Sequence, residues 1–190
     1  MHTQGRKQLE RHTTVNAPAG VVYRLFMDNA ELANWAPAVD AVTSTHGGDG
    51  TGQGATRTCA VTMNGKKGTM VERCVEAVPD TRAAFLVVDD SFGFSTMLTG
   101  YGFTARFTPT ASEQTTVRIE TYYTPANPAA AVLNRLVIRR KFQTVVDDLL
   151  EGLRTLAEQR HSQPETRGRH ADTPSEGPAH PGPTTPGRAG

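Results

Sequence analysis

Hydrophobic and polar positions along this chain follow two different periods, and the switches between them divide it into elements. Lys7 to Val15 reads as a first strand, β-branched near its end. Asn16-Ala17-Pro18 then supplies a capping residue and a proline close to a helix start. The helix that follows carries Val21, Val22, Leu25 and Phe26 as an i, i+1, i+4, i+5 stripe. A second short helix, about Ala30 to Trp35, must stop where Pro37 forbids continuation. Strand signals separated by turns come next: Ala38 to Thr45, Ala55 to Met63, Thr69 to Val78, Ala83 to Val88, Met97 to Phe107 and Thr115 to Tyr123. Four glycines between His46 and Gly52 mark a loop, and Asn64-Gly65 is a hairpin signal. Asn127 and Pro128 then open a long helix. Leu133, Leu136, Val137, Arg140, Val145, Leu149, Leu153 and Leu156, spaced mostly by three or four, are expected to share its inward face.

The composition changes sharply after Arg160. From His161 to Gly190 there are six Pro and five Gly in 30 residues and no Val, Ile, Leu, Met, Phe, Trp or Tyr. Such a segment cannot bury enough apolar area to offset its ordering entropy. The expected organisation is therefore a loose N-terminus over 1–6, one domain over 7–160 and a disordered tail over 161–190. Charge is nearly balanced, with 20 Lys plus Arg against 19 Asp plus Glu, and the one dense basic cluster, Arg139 to Lys141, lies inside the last helical pattern. This argues against nucleic acid as the main partner.

Cys59 and Cys74 are too few for a disulfide scaffold or a structural zinc site, and the six histidines show no ligand spacing. Neither a metal nor another cofactor is expected. No apolar run reaches the roughly 20 residues of a membrane span, so no membrane insertion is expected. Met1 to Arg11 is polar, without the apolar stretch of a secretory signal, which makes the cytoplasm the expected compartment. The glycines at 47 to 54 lack the strand–loop–helix setting of a phosphate-binding loop.

The order β, α, α, six strands, then one long α resembles the START-like superfamily, the polyketide cyclase/dehydrase-like helix-grip proteins. Local features agree over about Lys7 to Gln159: Asn16-Ala17-Pro18 entering the first helix, Trp35-Ala36-Pro37, the glycine-rich entry at Gly52 to Arg57, Glu72-Arg73, and Val78-Pro79-Asp80. The resemblance implies an α+β fold in which a curved antiparallel sheet of about seven strands wraps a long C-terminal helix, with two short helices closing one end. It also implies a cavity for a hydrophobic small molecule. None of these features is a catalytic signature, and fold does not fix function.

Period-two alternation picks candidate side chains within that frame. Met97, Thr99, Tyr101, Phe103, Ala105 and Phe107 share one parity; Val117, Ile119, Thr121 and Tyr123 share another. Tyr101, Phe103 and Tyr123 are thus candidates for the cavity or simply for core packing. Arg57 shares parity with Cys59, Val61 and Met63, and Glu72 with Met70 and Cys74. Adjacent strands could bring Arg57 and Glu72 together, either as a polar handle in the cavity or as an exposed cross-strand ion pair, since Val71 and Val75 favour the opposite face for the strand Thr69 to Val78. The candidate catalytic set is Arg57, Glu72 and Tyr101, with Arg57 holding a developing enolate while a Tyr or Glu exchanges the proton. The candidate ligand-binding set is Trp35 at one end, Met63, Phe103 and Tyr123 on the sheet, and Phe94 and Met97 in an apolar lip. Leu133, Val137 and Arg140 on the helix complete it. Arg140 could equally snorkel to the surface.

Three functions fit these expectations. One is an enzyme acting on an aromatic or polyketide-type intermediate. The second is a non-catalytic carrier or sequestering protein, including one that protects a cell from a hydrophobic antibiotic. The third is an interaction module, which would show a contiguous apolar patch on its sheet, and the sequence carries no sign of one.

Overall fold

Seven strands and the helices between them form the protein in a computed structural model, which describes residues 4–44 and 52–163. The strands are β1 (Lys7–Val15), β2 (Val39–Ser44), β3 (Thr56–Met63), β4 (Lys66–Val78), β5 (Arg82–Asp90), β6 (Leu98–Ala111) and β7 (Gln114–Pro125). They make one antiparallel sheet in the order β1-β7-β6-β5-β4-β3-β2, so every neighbour except β1–β7 is joined by a sequential connection. The two-residue turn at Asn64-Gly65, with both φ values positive, sets the β3–β4 register. Gly5 and Arg6 continue the edge, donating to Gly100 and accepting from Tyr123 through their backbones.

Helices α1 (Ala19–Met27) and α2 (Asn29–Trp35) close one end of the sheet. Pro18 occupies the cap position of α1. Asn16, expected as that cap, instead donates from its backbone and side-chain amides to Glu158 and ties the end of β1 to the last helix. Asp28 caps α2 through its carboxylate. A short turn of helix, α3 (Phe94–Met97), sits where the sequence suggests only a flexible lip.

The long C-terminal helix is not uniform. It begins as α4 (Pro128–Leu133), passes through one π-helical turn, Asn134–Ile138, and continues as α5 (Arg139–Ser162). Its buried stripe is Asn134, Ile138, Phe142, Val146, Leu150, Leu153 and Ala157. The expected stripe over 133 to 140 is therefore wrong: Leu133, Leu136, Val137 and Arg140 face away from the sheet. The step of five from Arg140 to Val145 marks the error, because five residues turn an α-helix by about 140° beyond a full revolution, joining one face to another. The π turn is anchored by a buried bond in which the Tyr123 hydroxyl donates to Asn134 Oδ1 at 2.6 Å.

Bulges curve the sheet around this helix. β4 shifts register against β5 between Val71 and Glu72 and again between Cys74 and Glu76; β6 shifts against β7 between Thr99 and Gly102. The β6 shift passes through Gly100 at φ 62° and breaks the expected parity. Leu98 is buried and Thr99 exposed, so Met97 and Thr99 do not continue the face of Tyr101 and Phe103. α5 approaches α2 so closely at Gly152 that any Cβ there would strike the Trp35 carbonyl oxygen.

Candidate functional site

Curved sheet and helix do not meet everywhere, and the gap is a cavity of about 620 Å³. This lies within the range of small-molecule sites. Its walls are Phe26, Leu32 and Trp35 from the short helices, Cys59, Val61 and Met70 from β3 and β4, Tyr101, Phe103, Ile119 and Thr121 from β6 and β7, and Ile138, Phe142, Val146 and Leu149 from the long helix. The exposed lining residues Asn64, Lys66, Lys141 and Thr144 mark its mouth, between the β3–β4 hairpin and the helix. Phe92 and Phe94 stand beside it, held by Asp90, whose carboxylate accepts from the backbone amides of Phe92, Phe94 and Ser95.

One charged pair is sunk in this apolar wall. Arg57 and Glu72 face each other in the β3–β4 register and are 4% and 9% exposed. Arg57 Nε and Nη2 both reach Glu72 Oε2 at 2.8 Å, and Nη1 donates to Asn29 Oδ1 at 3.3 Å. The guanidinium also lies 4.3 Å above the Phe85 ring, which stacks on Phe103. Three elements, β4, α2 and β5, thus hold one cation carried by β3. The exposed cross-strand pair weighed from the sequence is ruled out, and so is the ambiguity over β4: Met70, Glu72 and Cys74 face inward while Val71 and Val75 lie half-buried on the other side.

Tyr101 lies on the same wall. Its ring stacks on Phe142 at 5.1 Å and meets Phe94 and Tyr123 edge-on. Burial pushes its hydroxyl well above the usual phenol range, with the nearby Glu72 charge adding to the effect, so it stays a neutral donor. Burial, then Glu72, also pushes the Cys59 thiol up to about 12, which leaves it an unreactive part of the wall. Among the described residues no three His, Cys, Asp or Glu side chains converge as a metal site.

Of the residues singled out from the sequence, Trp35, Arg57, Met63, Glu72, Phe94, Tyr101 and Phe103 line the cavity. Five others do not. Tyr123 is fully buried behind the wall, its hydroxyl used by Asn134. Met97 lies beyond the Gly100 bulge, and Leu133, Val137 and Arg140 are on the outward face of the helix. Phe142, Ile138, Asn29 and Phe85 were missed. The spacing of four from Asn134 through Ile138, Phe142 and Val146 to Leu150 would have found the helix residues. No local pattern signals that Asn29, the first residue of α2, reaches Arg57.

A curved sheet gripping one long helix around an apolar chamber defines a START-like ligand-binding protein. Residues 6–158 match the family model described as polyketide cyclase / dehydrase and lipid transport, and the chain belongs to that family. Binding of a hydrophobic ligand is the property this membership carries. No curated protein sequence matches the chain. Among solved structures, one from Thermus thermophilus is 22% identical with a TM-score of 0.65, covering 80% of this chain and 97% of its own. A Streptomyces aromatase/cyclase is 18% identical with a TM-score of 0.64, covering 80% and 93%. A norcoclaurine synthase from Thalictrum, solved as a point mutant with a transition-state analogue, is 12% identical with a TM-score of 0.62, covering 80% and 94%. At these identities the likeness is one of fold. Among the described residues no helix is long and apolar enough to cross a membrane.

Proposed function

We propose that the protein acts on an aromatic or polyketide-type molecule as a cofactor-independent cyclase. The observation that carries this reading is the Arg57–Glu72 pair, buried in the wall of an otherwise apolar cavity beside Tyr101. A buried ion pair is poor value for stability, since hydrophobic residues of similar volume commonly do as well. A polar site in an apolar chamber suits a substrate whose carbon skeleton is hydrophobic and whose carbonyl oxygens must be held.

In the proposed reaction Glu72 takes a proton from a carbon flanked by two carbonyls, and Arg57 stabilises the resulting enolate oxygen. The carbanion bonds to a second carbonyl carbon of the same chain. Its oxygen takes the Tyr101 proton as the ring closes, and the proton on Glu72 returns to the tyrosinate. Loss of that hydroxyl with a neighbouring proton, as water, then gives the unsaturated ring. Glu72 and Tyr101 fill complementary base and acid roles, each regenerated at the end.

A carrier or sequestering role, including protection from a hydrophobic antibiotic, is the second reading. One observation favours it: Arg57 is already engaged by Glu72, Asn29 and the Phe85 ring. The deciding experiment incubates the full chain with a linear poly-β-ketone mimic and follows dehydrated ring products, alongside Glu72→Gln and Tyr101→Phe. Turnover that falls at least roughly 100-fold in either variant, with binding kept, supports the cyclase. Tight binding without turnover gives the cavity to a carrier, and no binding by thermal shift to any polyketide, fatty acid, sterol or hydrophobic antibiotic overturns both.

A further inference from the structure

Leu133 and Val137, misassigned to the cavity, belong with their neighbours Val132 and Leu136 to a surface of their own. Five large apolar side chains are exposed among the described residues, and four of them, Val132, Leu133, Leu136 and Val137, sit within two turns of the long helix, between 39% and 63% exposed. Over Pro128 to Ile138 only Ala130, Asn134 and Ile138 are buried, so this stretch stands proud of the sheet as a convex ridge. Charge along this stretch of the helix has one sign. Arg135, Arg139, Arg140 and Lys141 are all exposed, no Asp or Glu occurs from 128 to 146, and no ion pair engages these four cations among the described residues.

We infer that this ridge docks the protein on the surface of an anionic lipid bilayer, lying in the interface without crossing it. Exposed Leu and Val flanked by unpaired Arg and Lys are what interfacial binding requires. A second copy fits poorly, because a two-fold contact through this ridge would bring two sets of four cations together with no acid between them. An acidic protein would need a groove for a convex ridge, whereas a bilayer deforms around it. The position relative to the cavity points the same way. Ile138, Lys141, Thr144 and Val145 of the same helix line the cavity and its mouth. Docking therefore sets the mouth beside the hydrocarbon, so that a hydrophobic ligand need not cross bulk water to enter. The inference concerns delivery and holds whether the cavity is catalytic or not.

The test is co-sedimentation of the full chain with vesicles of phosphatidylcholine alone and of an equimolar phosphatidylcholine–phosphatidylglycerol mixture. Binding is expected to the mixture only, weakening as salt rises. Arg139→Gln with Arg140→Gln should weaken it roughly 25-fold, and Val132→Gln with Leu136→Gln by at least about tenfold. Unchanged thermal melting in both double variants shows that they fold, as their exposure dictates. No binding to anionic vesicles, or equal binding by the variants, overturns the inference. Binding to polyglutamate but not to vesicles overturns it in favour of an acidic protein. A dimer abolished by the apolar double variant, without vesicle binding, overturns it in favour of self-association.

Discussion

Truncating Arg57 tests whether the charged pair is as deeply buried as its geometry requires. Arg57→Met keeps most of the side-chain volume but leaves Glu72, 9% exposed, without either guanidinium bond. Breaking one partner of a buried pair costs about 3–5 kcal/mol, and the lost stacking over Phe85 adds to that by about 0.5–2 kcal/mol. The double variant Arg57→Met, Glu72→Leu removes both charges and is expected to be neutral or up to about 4 kcal/mol more stable than the wild type. Equilibrium unfolding in urea at neutral pH, followed by Trp35 fluorescence and by circular dichroism, measures all three variants of the cycle, including Glu72→Leu alone. A chain that gains stability on losing the pair keeps it for something other than stability, which is what the ligand-binding reading demands. If Arg57→Met alone costs less than about 1 kcal/mol, the pair is solvated like a surface bridge and the argument from burial fails.

Other perturbations follow from single contacts. Gly152→Ala places a methyl against the backbone oxygen of Trp35, so it should cost about 1–3 kcal/mol by forcing α5 away from α2, measured by denaturant midpoint. Tyr123→Phe strips Asn134 of its 2.6 Å donor inside the π turn and should cost about 1–3 kcal/mol. Burial raises the Asp90 carboxyl, but the amides of Ser95, Phe94 and Phe92 that donate to it hold it net below its ordinary value. A carboxyl depressed in the folded state stabilises above its unfolded pKa and loses that contribution as pH falls through its folded one. Hydrogen-exchange protection factors at Phe92, Phe94 and Ser95, taken relative to the intrinsic amide rate at each pH, should therefore fall on acidification below the ordinary carboxylate range, and Asp90→Asn should remove this pH dependence.

Strand positions were legible because alternation and turn chemistry act locally. Asn64-Gly65 set a hairpin register, and that register alone opposes Arg57 to Glu72. What β4 faced was not legible, since Val71 and Val75 satisfy a half-buried outer face as well as an inner one. Bulges defeat parity arguments outright. The shift around Gly100 moves Met97 and Thr99 off the face of Tyr101, and nothing in their residue types announces it. The cavity itself is a place where side chains fail to meet, and volume left empty has no pattern in one dimension. Phe142 was overlooked for a related reason. The helix carries apolar residues on opposite faces of its two halves, and a search for one stripe joined Leu133, Leu136 and Val137 to Val145 and Leu149 across the break.

That break gives a direct comparison of two truncations on one helix. Phe142 is 7% exposed, stacks on Tyr101 at 5.1 Å, and meets Phe94 and Tyr123 at 5.7 and 5.3 Å. Phe142→Ala removes a buried ring next to an existing void, so the walls cannot close over the loss, and about 3–5 kcal/mol is expected. Leu136 is 63% exposed on the outward ridge, and Leu136→Ala should change stability by no more than about 0.5 kcal/mol. A continuous α-helix with the stripe expected from the sequence would turn Leu136 inward and make it the costlier site. Urea midpoints of the two variants at equal m-values separate the cases. Equal losses at both positions would mean that the π turn does not hold in solution, and the ridge inferred above would go with it.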